Sequence, residues 1–339
     1  MVRVALVGCG FMGRMHYARW RATDGVEVTA ICDTDPDRLE TENGASGNIE
    51  GTNAGIEFNK LSLYSDFDEM LAESNLDAVS ITLPTDLHAE FSIKALEAGL
   101  HVLCEKPMAL NVAQCDDMIA AAKRSGNILL IGHCIRFWPE YAKAKGMVDS
   151  GEYGKVVAAT FRRLGSIPTW SRSNWFTDEG RSGGMALDLH IHDTDYVQYL
   201  LGMPRAVRSF GAKSLGLGLT HVVTQYLYGD DRMITAEGSW QMMPSFGFEM
   251  SFNIEMEKAT LVYDNTRVPA FKVCPPVGNA FAPAIEEGDG YSFEIAHFAK
   301  AIRGEKVKEV TTLEQSRNSV RIVEAEKESA RTGKKISLA

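Results

Sequence analysis

Apolar and polar positions along the chain follow one rhythm in its first third and another afterwards. Val2 to Val7 is a short apolar run ending at Gly8, the pattern of a strand buried on both faces. A helical stretch follows from about Phe11 to Ala22, then a second strand from Val26 to Cys32, closed by Asp33. Asp35-Pro36 opens another helix, with proline near the first position, where its missing N–H is tolerated. From Asn43 to Asn59 glycine, asparagine, serine and threonine dominate without periodicity. This segment is expected to be a surface loop, long for a compact α/β unit. The alternation then resumes: helix Phe67 to Glu73, strand Ala78 to Leu83, helix His88 to Ala98 ended by Gly99, strand His101 to Cys104, helix Cys115 to Arg124 ended near Gly126, and strand Ile128 to Gly132. Strands alternating with helices predict a parallel, doubly wound sheet.

After about Arg136 the pattern changes. Val156 to Arg163, Ala206 to Phe210, His221 to Tyr228, Met233 to Trp240, Phe248 to Ile254 and Ala259 to Tyr263 read as strands. Few helices separate the last five, which predicts a largely antiparallel sheet. Helices are expected at Leu187 to Leu201, Phe293 to Ile302 and Leu313 to Arg331. The expected fold is α/β, in two domains. Residues 1–125 form the doubly wound domain, and residues 126–339 an α+β domain for catalysis and assembly, with an open-faced sheet. An apolar face uncovered by helices demands a partner.

Composition narrows the function. Hydrophobic residues at 45% and charged residues at 24% are ordinary for a soluble globular protein. A chain of 339 residues can bury a core large enough to need no disulfide or metal. The net charge of -10 argues against nucleic acid or an anionic membrane as partner, since phosphate binding wants a basic face. The six cysteines (Cys9, Cys32, Cys104, Cys115, Cys134 and Cys274) form no C-x-x-C pair and are expected to be reduced core thiols. With no leader-like start and no apolar run of transmembrane length, a cytoplasmic location is expected.

Gly8-Cys9-Gly10-Phe11-Met12-Gly13 fits G-x-G-x-x-G where a strand ends and a helix opens. Gly8 permits the tight turn, Gly10 lets a pyrophosphate approach the backbone, and Gly13 allows close helix–strand packing. This is the Rossmann fingerprint for a dinucleotide. Asp33 ends the next strand twenty residues after Gly13, where a carboxylate accepts hydrogen bonds from the adenosine ribose and repels a 2′-phosphate. NAD is therefore expected over NADP, although Arg38 lies close enough in sequence to reach a phosphate. The plain alternative is a glycine turn followed by a capping aspartate.

His101-Val102-Leu103-Cys104-Glu105-Lys106-Pro107 is a strand ending in a charged pair and a proline. Ligands of doubly wound sheets bind beyond the carboxyl ends of the strands, which puts Lys106 at the cofactor crevice. A solvated loop lysine is the competing reading. Taken with the glycine loop and Leu83-Pro84-Thr85-Asp86-Leu87-His88, this segment resembles the glucose–fructose oxidoreductase / inositol dehydrogenase / rhizopine catabolism (Gfo/Idh/MocA) family. The family pattern is T-P-N-x-x-H followed by G-x-H-V-x-x-E-K-P. Leu83 stands where threonine is frequent, and Thr85 where asparagine is frequent. The resemblance covers nearly the whole chain. It implies that Leu83, Pro84, His88 and Glu105 lie by the cofactor, together with the glycine loop. It also implies that Lys106 contacts both nicotinamide and substrate, and that the chain assembles into a homodimer or homotetramer through the open sheet face.

The segment from Gly183 to Asp195 resembles the family's G-G-x-x-x-D-x-G-x-H-x-x-D. Asp188 and His192 stand four apart and share one helical face. His190 replaces the frequent glycine and adds bulk that bears on substrate shape or the local backbone. A capping aspartate beside a core histidine explains the same residues without catalysis. His190 and His192 also spell H-x-H, but residues two apart on a helix point to nearly opposite sides, so no metal site is expected. The expected chemistry is hydride transfer from a secondary hydroxyl of a sugar, polyol or inositol-like substrate. His192 acts as general base, Asp188 orients, and Lys106 stabilises the alkoxide. Arg136, Trp170, Arg172 and Trp175 are candidates to line the polyol pocket, with His190 beside them. The resemblance also admits an NAD-dependent glycosidase and a non-catalytic NAD-binding regulator. Retention of Lys106, Asp188 and His192 argues against the regulator.

Overall fold

Residues 1–40, 55–169, 172–214 and 216–338 are described by a computed structural model. The apolar run Val2–Val7 (β1) is buried along nearly its whole length, as a strand covered on both faces requires. It pairs in parallel with Val26–Cys32 (β2) on one side and Ala78–Ile81 (β4) on the other. Ser62–Tyr64 (β3), His101–Glu105 (β5) and Leu129–Gly132 (β6) complete a six-stranded parallel sheet in the order β3-β2-β1-β4-β5-β6. The connecting helices are Phe11–Arg21 (α1), Pro36–Glu40 (α2), Phe67–Glu73 (α3), His88–Glu97 (α4) and Val112–Ser125 (α5). Asp66 and Asn111 cap α3 and α5 by accepting from the backbone N–H three residues on. Strand order reverses between β1 and β4, the position where doubly wound sheets take their ligands.

Two short elements go beyond the sequence reading. Part of the expected Asn43 to Asn59 loop lies outside the described residues, and Phe58–Lys60 forms a single 3-10 turn leading into β3. A three-residue strand is too short to announce itself by alternation.

The second unit holds Pro139–Ser150 (α6), Val156–Leu164 (β7), Glu179–Ser182 (α7) and Ile191–Leu201 (α8). Seven further strands follow: Ala206–Lys213 (β8), Leu219–Leu227 (β9), Met233–Ser239 (β10), Glu249–Met256 (β11), Ala259–Asp264 (β12), Phe271–Cys274 (β13) and Ile336–Ser337 (β14). They form one eight-stranded sheet in the order β13-β12-β11-β7-β10-β9-β8-β14. Every pair is antiparallel except β7 with β10. In β9 Thr220, Val222, Thr224 and Tyr226 are buried while the residues between them reach outward, the period of two that a half-buried sheet imposes. The inner face carries an aromatic cluster in which Tyr141 meets Tyr196, Phe252 and Tyr263 edge-on at 4.8–5.3 Å. Val157, Phe210, Val223 and Met233 are exposed apolar residues of the strands.

The chain divides elsewhere than at residue 125. The first unit runs to Phe137 and takes back Asp289–Arg317, including Gly290–Ile302 (α9), which composition alone assigned to the second domain. Ile295, Phe298 and Ala299 of α9 join Trp20, Leu103 and Leu130 in the core of the parallel sheet. Arg19 of α1 pairs with Asp289, the α9 N-cap, at 2.7 Å. The apolar stripe of α9 is plain in the sequence, but not which sheet it covers. Leu313–Thr332 (α10) follows as expected.

Candidate functional site

The glycine loop is built by contacts that leave no room for side chains. Gly8 has φ +95, and a Cβ on it would stand 2.9 Å from the Thr82 carbonyl oxygen. A Cβ on Gly13 would stand 1.9 Å from the Gly8 carbonyl oxygen, so α1 rests directly on the loop. Thr82 Oγ1 donates to that same oxygen at 2.8 Å. Gly10 is the α1 N-cap and supplies no side-chain cap, which leaves the first helical N–H groups for an anion. Phe11 and Met12 are half-buried beside them. This cradle fits the pyrophosphate of a dinucleotide.

Asp33 is nearly buried. Its Oδ2 accepts from the Cys9 backbone N–H at 2.7 Å and its Oδ1 from that of Asp35 at 2.9 Å. Arg38 Nη1 lies 3.5 Å from Oδ2. The carboxylate thus ties the end of β2 to the glycine loop. Two oxygens offer about four lone-pair directions, so acceptor capacity remains for a ribose. Arg38 also pairs with Asp35 at 3.4 Å, and its Nη1 lies 3.4 Å from where a Cβ on Gly10 would stand.

Glu105 and His88 are anchors. Glu105 is buried, with Oε1 2.9 Å from His16 Nε2 and Oε2 accepting from the Lys106 N–H at 3.1 Å. His16 Nδ1 is in turn 2.7 Å from Ser80 Oγ. Burial opposes the charge on Glu105, but His16, Lys106 and His88 outweigh it and hold the carboxyl below its usual range. His16 thereby joins α1, β4 and β5 under Lys106, and sequence reasoning missed it. Its signal was a polar residue three after Gly13, on the sheet side of α1. His88 Nδ1 faces the Pro107 carbonyl at 2.8 Å and Nε2 that of Leu83 at 2.9 Å. It staples the loop after β4 to the loop after β5. Burial pushes its pKa down, so the neutral ring donates to one of the two. Leu83, Pro84 and Lys106 are half-buried, and Lys106 precedes a cis bond to Pro107.

In the second unit Ala186–His190 is a π turn that runs into α8, where the sequence predicted one uninterrupted helix. Every residue from Met185 to Gln198 is buried except Asp188 and His192, which are part-exposed. The neighbouring acids are committed inward. Asp193 is gripped by Arg163 through Nε at 2.9 Å and Nη2 at 3.0 Å, and Asp195 accepts from Ser319 Oγ at 2.7 Å.

Of the residues expected to line the pocket, His190 and Arg136 are buried. His190 is fully buried, with Nε2 3.6 Å from Glu326 Oε2, and does not line an open surface. Arg136 is also buried, and its Nη1 donates to the Val310 carbonyl at 2.9 Å, holding the 3-10 turn Cys134–Phe137 to the chain after α9. The same Nη1 also donates to Gln315 Oε1. Trp175 is half-buried and stacks on Phe176 at 4.1 Å. Trp170 and the Arg172 side chain lie outside the described residues. Among the described residues no three His, Cys, Asp or Glu side chains gather as metal ligands.

A parallel sheet with its glycine cradle at the reversal of strand order, joined to a large antiparallel sheet, places the chain among Rossmann-fold oxidoreductases. Residues 2–133 match the oxidoreductase family with an NAD-binding Rossmann fold, and residues 141–262 match the GFO/IDH/MocA C-terminal domain. The chain belongs to the GFO/IDH/MocA family. It is 33% identical over 204 residues to myo-inositol 2-dehydrogenase of Thermotoga maritima, covering 59% of this chain and 55% of that protein. It is 31% identical over 217 residues to D-glucoside 3-dehydrogenase of Escherichia coli, covering 63% and 57%. It is 32% identical over 211 residues to 2,7-anhydro-N-acetylneuraminate hydratase of Mediterraneibacter gnavus, covering 62% and 52%. The chain thus spans little more than half the length of these curated relatives. Its fold is that of the aldose-aldose oxidoreductase of Caulobacter crescentus complexed with glycerol, with a TM-score of 0.83, 23% identity and 99% of both chains covered. The WlbA dehydrogenase of Bordetella pertussis, in complex with NADH and UDP-GlcNAcA, gives a TM-score of 0.81 at 23% identity, covering 100% of this chain and 98% of that one.

Proposed function

We propose that the chain is an NAD-dependent dehydrogenase acting on a secondary hydroxyl of a sugar, polyol or inositol-like substrate. The observation that carries this reading is the pair Asp188 and His192, left part-exposed in a segment otherwise buried from Met185 to Gln198. Folding rarely leaves a carboxylate and an imidazole at one face of a core helix without use for them.

The backbone of Gly8, Gly10 and Gly13 would hold the pyrophosphate, and Asp33 the adenosine ribose. The bound nicotinamide supplies the hydride acceptor. His192 takes the hydroxyl proton as general base, and Asp188 orients the substrate or the imidazole. Lys106 donates to the reacting oxygen and stabilises alkoxide charge as it develops. NAD is expected over NADP, since a carboxylate after β2 would repel a 2′-phosphate. The six cysteines, none joined in a disulfide and five of them buried, suit a reducing compartment such as the cytoplasm. The exposed apolar residues of the large sheet support a homo-oligomer.

One relative is a hydratase, which favours keeping a second reading in which a transient oxidation serves a redox-neutral elimination or hydration. A panel of inositols, aldoses, glycosides and sugar acids, each incubated with NAD, decides between them. Stoichiometric NADH absorbance supports the dehydrogenase. Product formation without net NADH establishes the redox-neutral reaction, and no product with any member sinks both.

A further inference from the structure

His190 stands where the family pattern often has glycine, and the structure gives it a fitted place. Its side chain is fully buried, two residues before the part-exposed His192. Gly238 of β10 lies against it. A Cβ at Gly238 would stand 2.7 Å from His190 Nδ1 and 3.0 Å from His190 Cβ, so the imidazole fills space that only a glycine leaves. On the other side Nε2 is 3.6 Å from Oε2 of Glu326 on α10, itself fully buried. Both Glu326 oxygens accept from Thr194 Oγ1, at 3.1 and 3.2 Å, and Thr194 Oγ1 lies 3.0 Å from Tyr226 OH.

The next residue of α10 reaches the other end of the same segment. Lys327 Nζ donates to the Gly183 carbonyl at 3.1 Å and pairs with Glu179 at 2.7 Å. Two successive α10 residues therefore grip the chain before the π turn and at its end. Asp188 lies within that turn and His192 just beyond it. A π turn hydrogen-bonds one residue further along than an α-helix and is rare unless surrounding contacts hold it. Reversion to regular α geometry would rotate Asp188 relative to His192 about the helix axis.

We propose that His190, seated on Gly238 and packed against Glu326, is a positioning residue that fixes the π turn and so sets how Asp188 and His192 are presented together. This rests on the reading of His192 as the general base. Burial agrees with a pair that carries no net charge. It pushes the His190 imidazole down to about 3 and the Glu326 carboxyl up to about 8, so each group is neutral near pH 7. Arg163 and His221, the other basic groups acting on His190, further disfavour its charged form. A neutral pair holds its place without the desolvation penalty of two buried ions.

The test uses the full chain in four variants. His190→Gly removes the imidazole, and His190→Gly with Gly238→Ala refills part of the space without restoring the pair. Glu326→Leu removes the partner at similar volume, and Glu326→Gln keeps a hydrogen-bonding group there. Each is measured for melting temperature, for NAD binding by fluorescence, for kcat on the best substrate of the panel, and for the His192 ring titration by NMR. His190→Gly and Glu326→Leu should each lower kcat on the order of 10- to 100-fold, as small misplacements of reacting groups do. Each should also shift the His192 titration while leaving NAD binding intact. The double variant should regain melting temperature but not kcat, and Glu326→Gln should recover most of what Glu326→Leu loses. Recovery of kcat together with melting temperature in the double variant would reduce His190 to a filler. An unmoved His192 titration in His190→Gly and Glu326→Leu would overturn the proposal too. If His190→Gly does not fold, the Glu326 pair decides. Full activity of His192→Ala would sink the base assignment alone, because the NMR readout judges positioning without turnover.

Discussion

Under the proposed function, the glycine loop of the first unit and the Asp188–His192 segment of the second reach function by opposite routes. The loop works through backbone. Its N–H groups are open because side chains are missing, and the clearance at Gly13 allows nothing larger. The Asp188–His192 segment works through side chains, and what selects them is burial of everything around them. A backbone device is written locally, since each glycine answers to a neighbour a few residues off. A side-chain device depends on β7, β10 and α10, far away in sequence, which take the other polar groups of the segment inward.

The largest effect that separates the two routes is expected from His192→Ala. It should lower kcat by on the order of 10²–10⁴, the usual cost of lost general acid–base help, and leave NAD affinity nearly unchanged. Steady-state kinetics beside an NAD titration check this, and a loss confined to KM would make His192 a binding residue instead. Lys106→Ala should cost a similar factor. Combined with His192→Ala it should be less than additive, since the proposal requires both to serve one oxygen.

Asp33→Ala probes the backbone route. It should weaken NAD by roughly tenfold, the scale of a charged hydrogen bond, and relax the bias against NADP. Because Asp33 also holds the Cys9 N–H, the melting temperature should fall as well. Equal wild-type turnover with both cofactors would remove the basis for the preference.

The open sheet face gives a third contrast, since the parallel sheet is expected to have no comparable role in assembly. Val223→Asp, at a residue 39% exposed on β9, should shift sedimentation from oligomer toward monomer with little change in melting temperature. A wild-type monomer at micromolar concentration contradicts assembly through this face.

The smallest effect is in pH. Glu326 titrates near 8 in the folded chain against an ordinary value of 4.5. The folded state therefore binds its proton more tightly, so its contribution is fully present below about pH 4.5 and is lost as pH rises through 8. His88 leans the other way. Its pKa is depressed by burial, so its contribution is present above the ordinary histidine value of 6.5 and fades as pH falls below it. The melting-temperature gap between wild type and Glu326→Gln should narrow from pH 5 to pH 8, as the folded chain gives up the Glu326 proton. A gap constant with pH would show that Glu326 titrates normally.

Much of this was legible beforehand where the signal is local. Phe67–Glu73 forms a helix with the bounds its periodicity predicts, and the six principal strands of the second sheet begin and end within three residues of their expected limits. The π turn was not legible, because its sequence reads as ordinary helix and only packing distinguishes the two. Nor was the fate of Arg136 and His190. An arginine donating to the Val310 carbonyl and a histidine filling the space above Gly238 look, in sequence, like any candidates for a pocket.

The sequence by itself determined the alternation of strands and helices, the Gly8–Gly13 cradle, the carboxylate after β2 and the Glu105-Lys106-Pro107 turn. Each of these is a short-range pattern whose physics is complete within a few residues. Tertiary structure alone decided that α9 returns to the first sheet, that His16 props Glu105, and that Asp188 and His192 stay part-exposed while Asp193, Asp195 and His190 turn inward. Those outcomes depend on which distant surface closes over each side chain, and a chain can show that a group is polar without showing what will cover it.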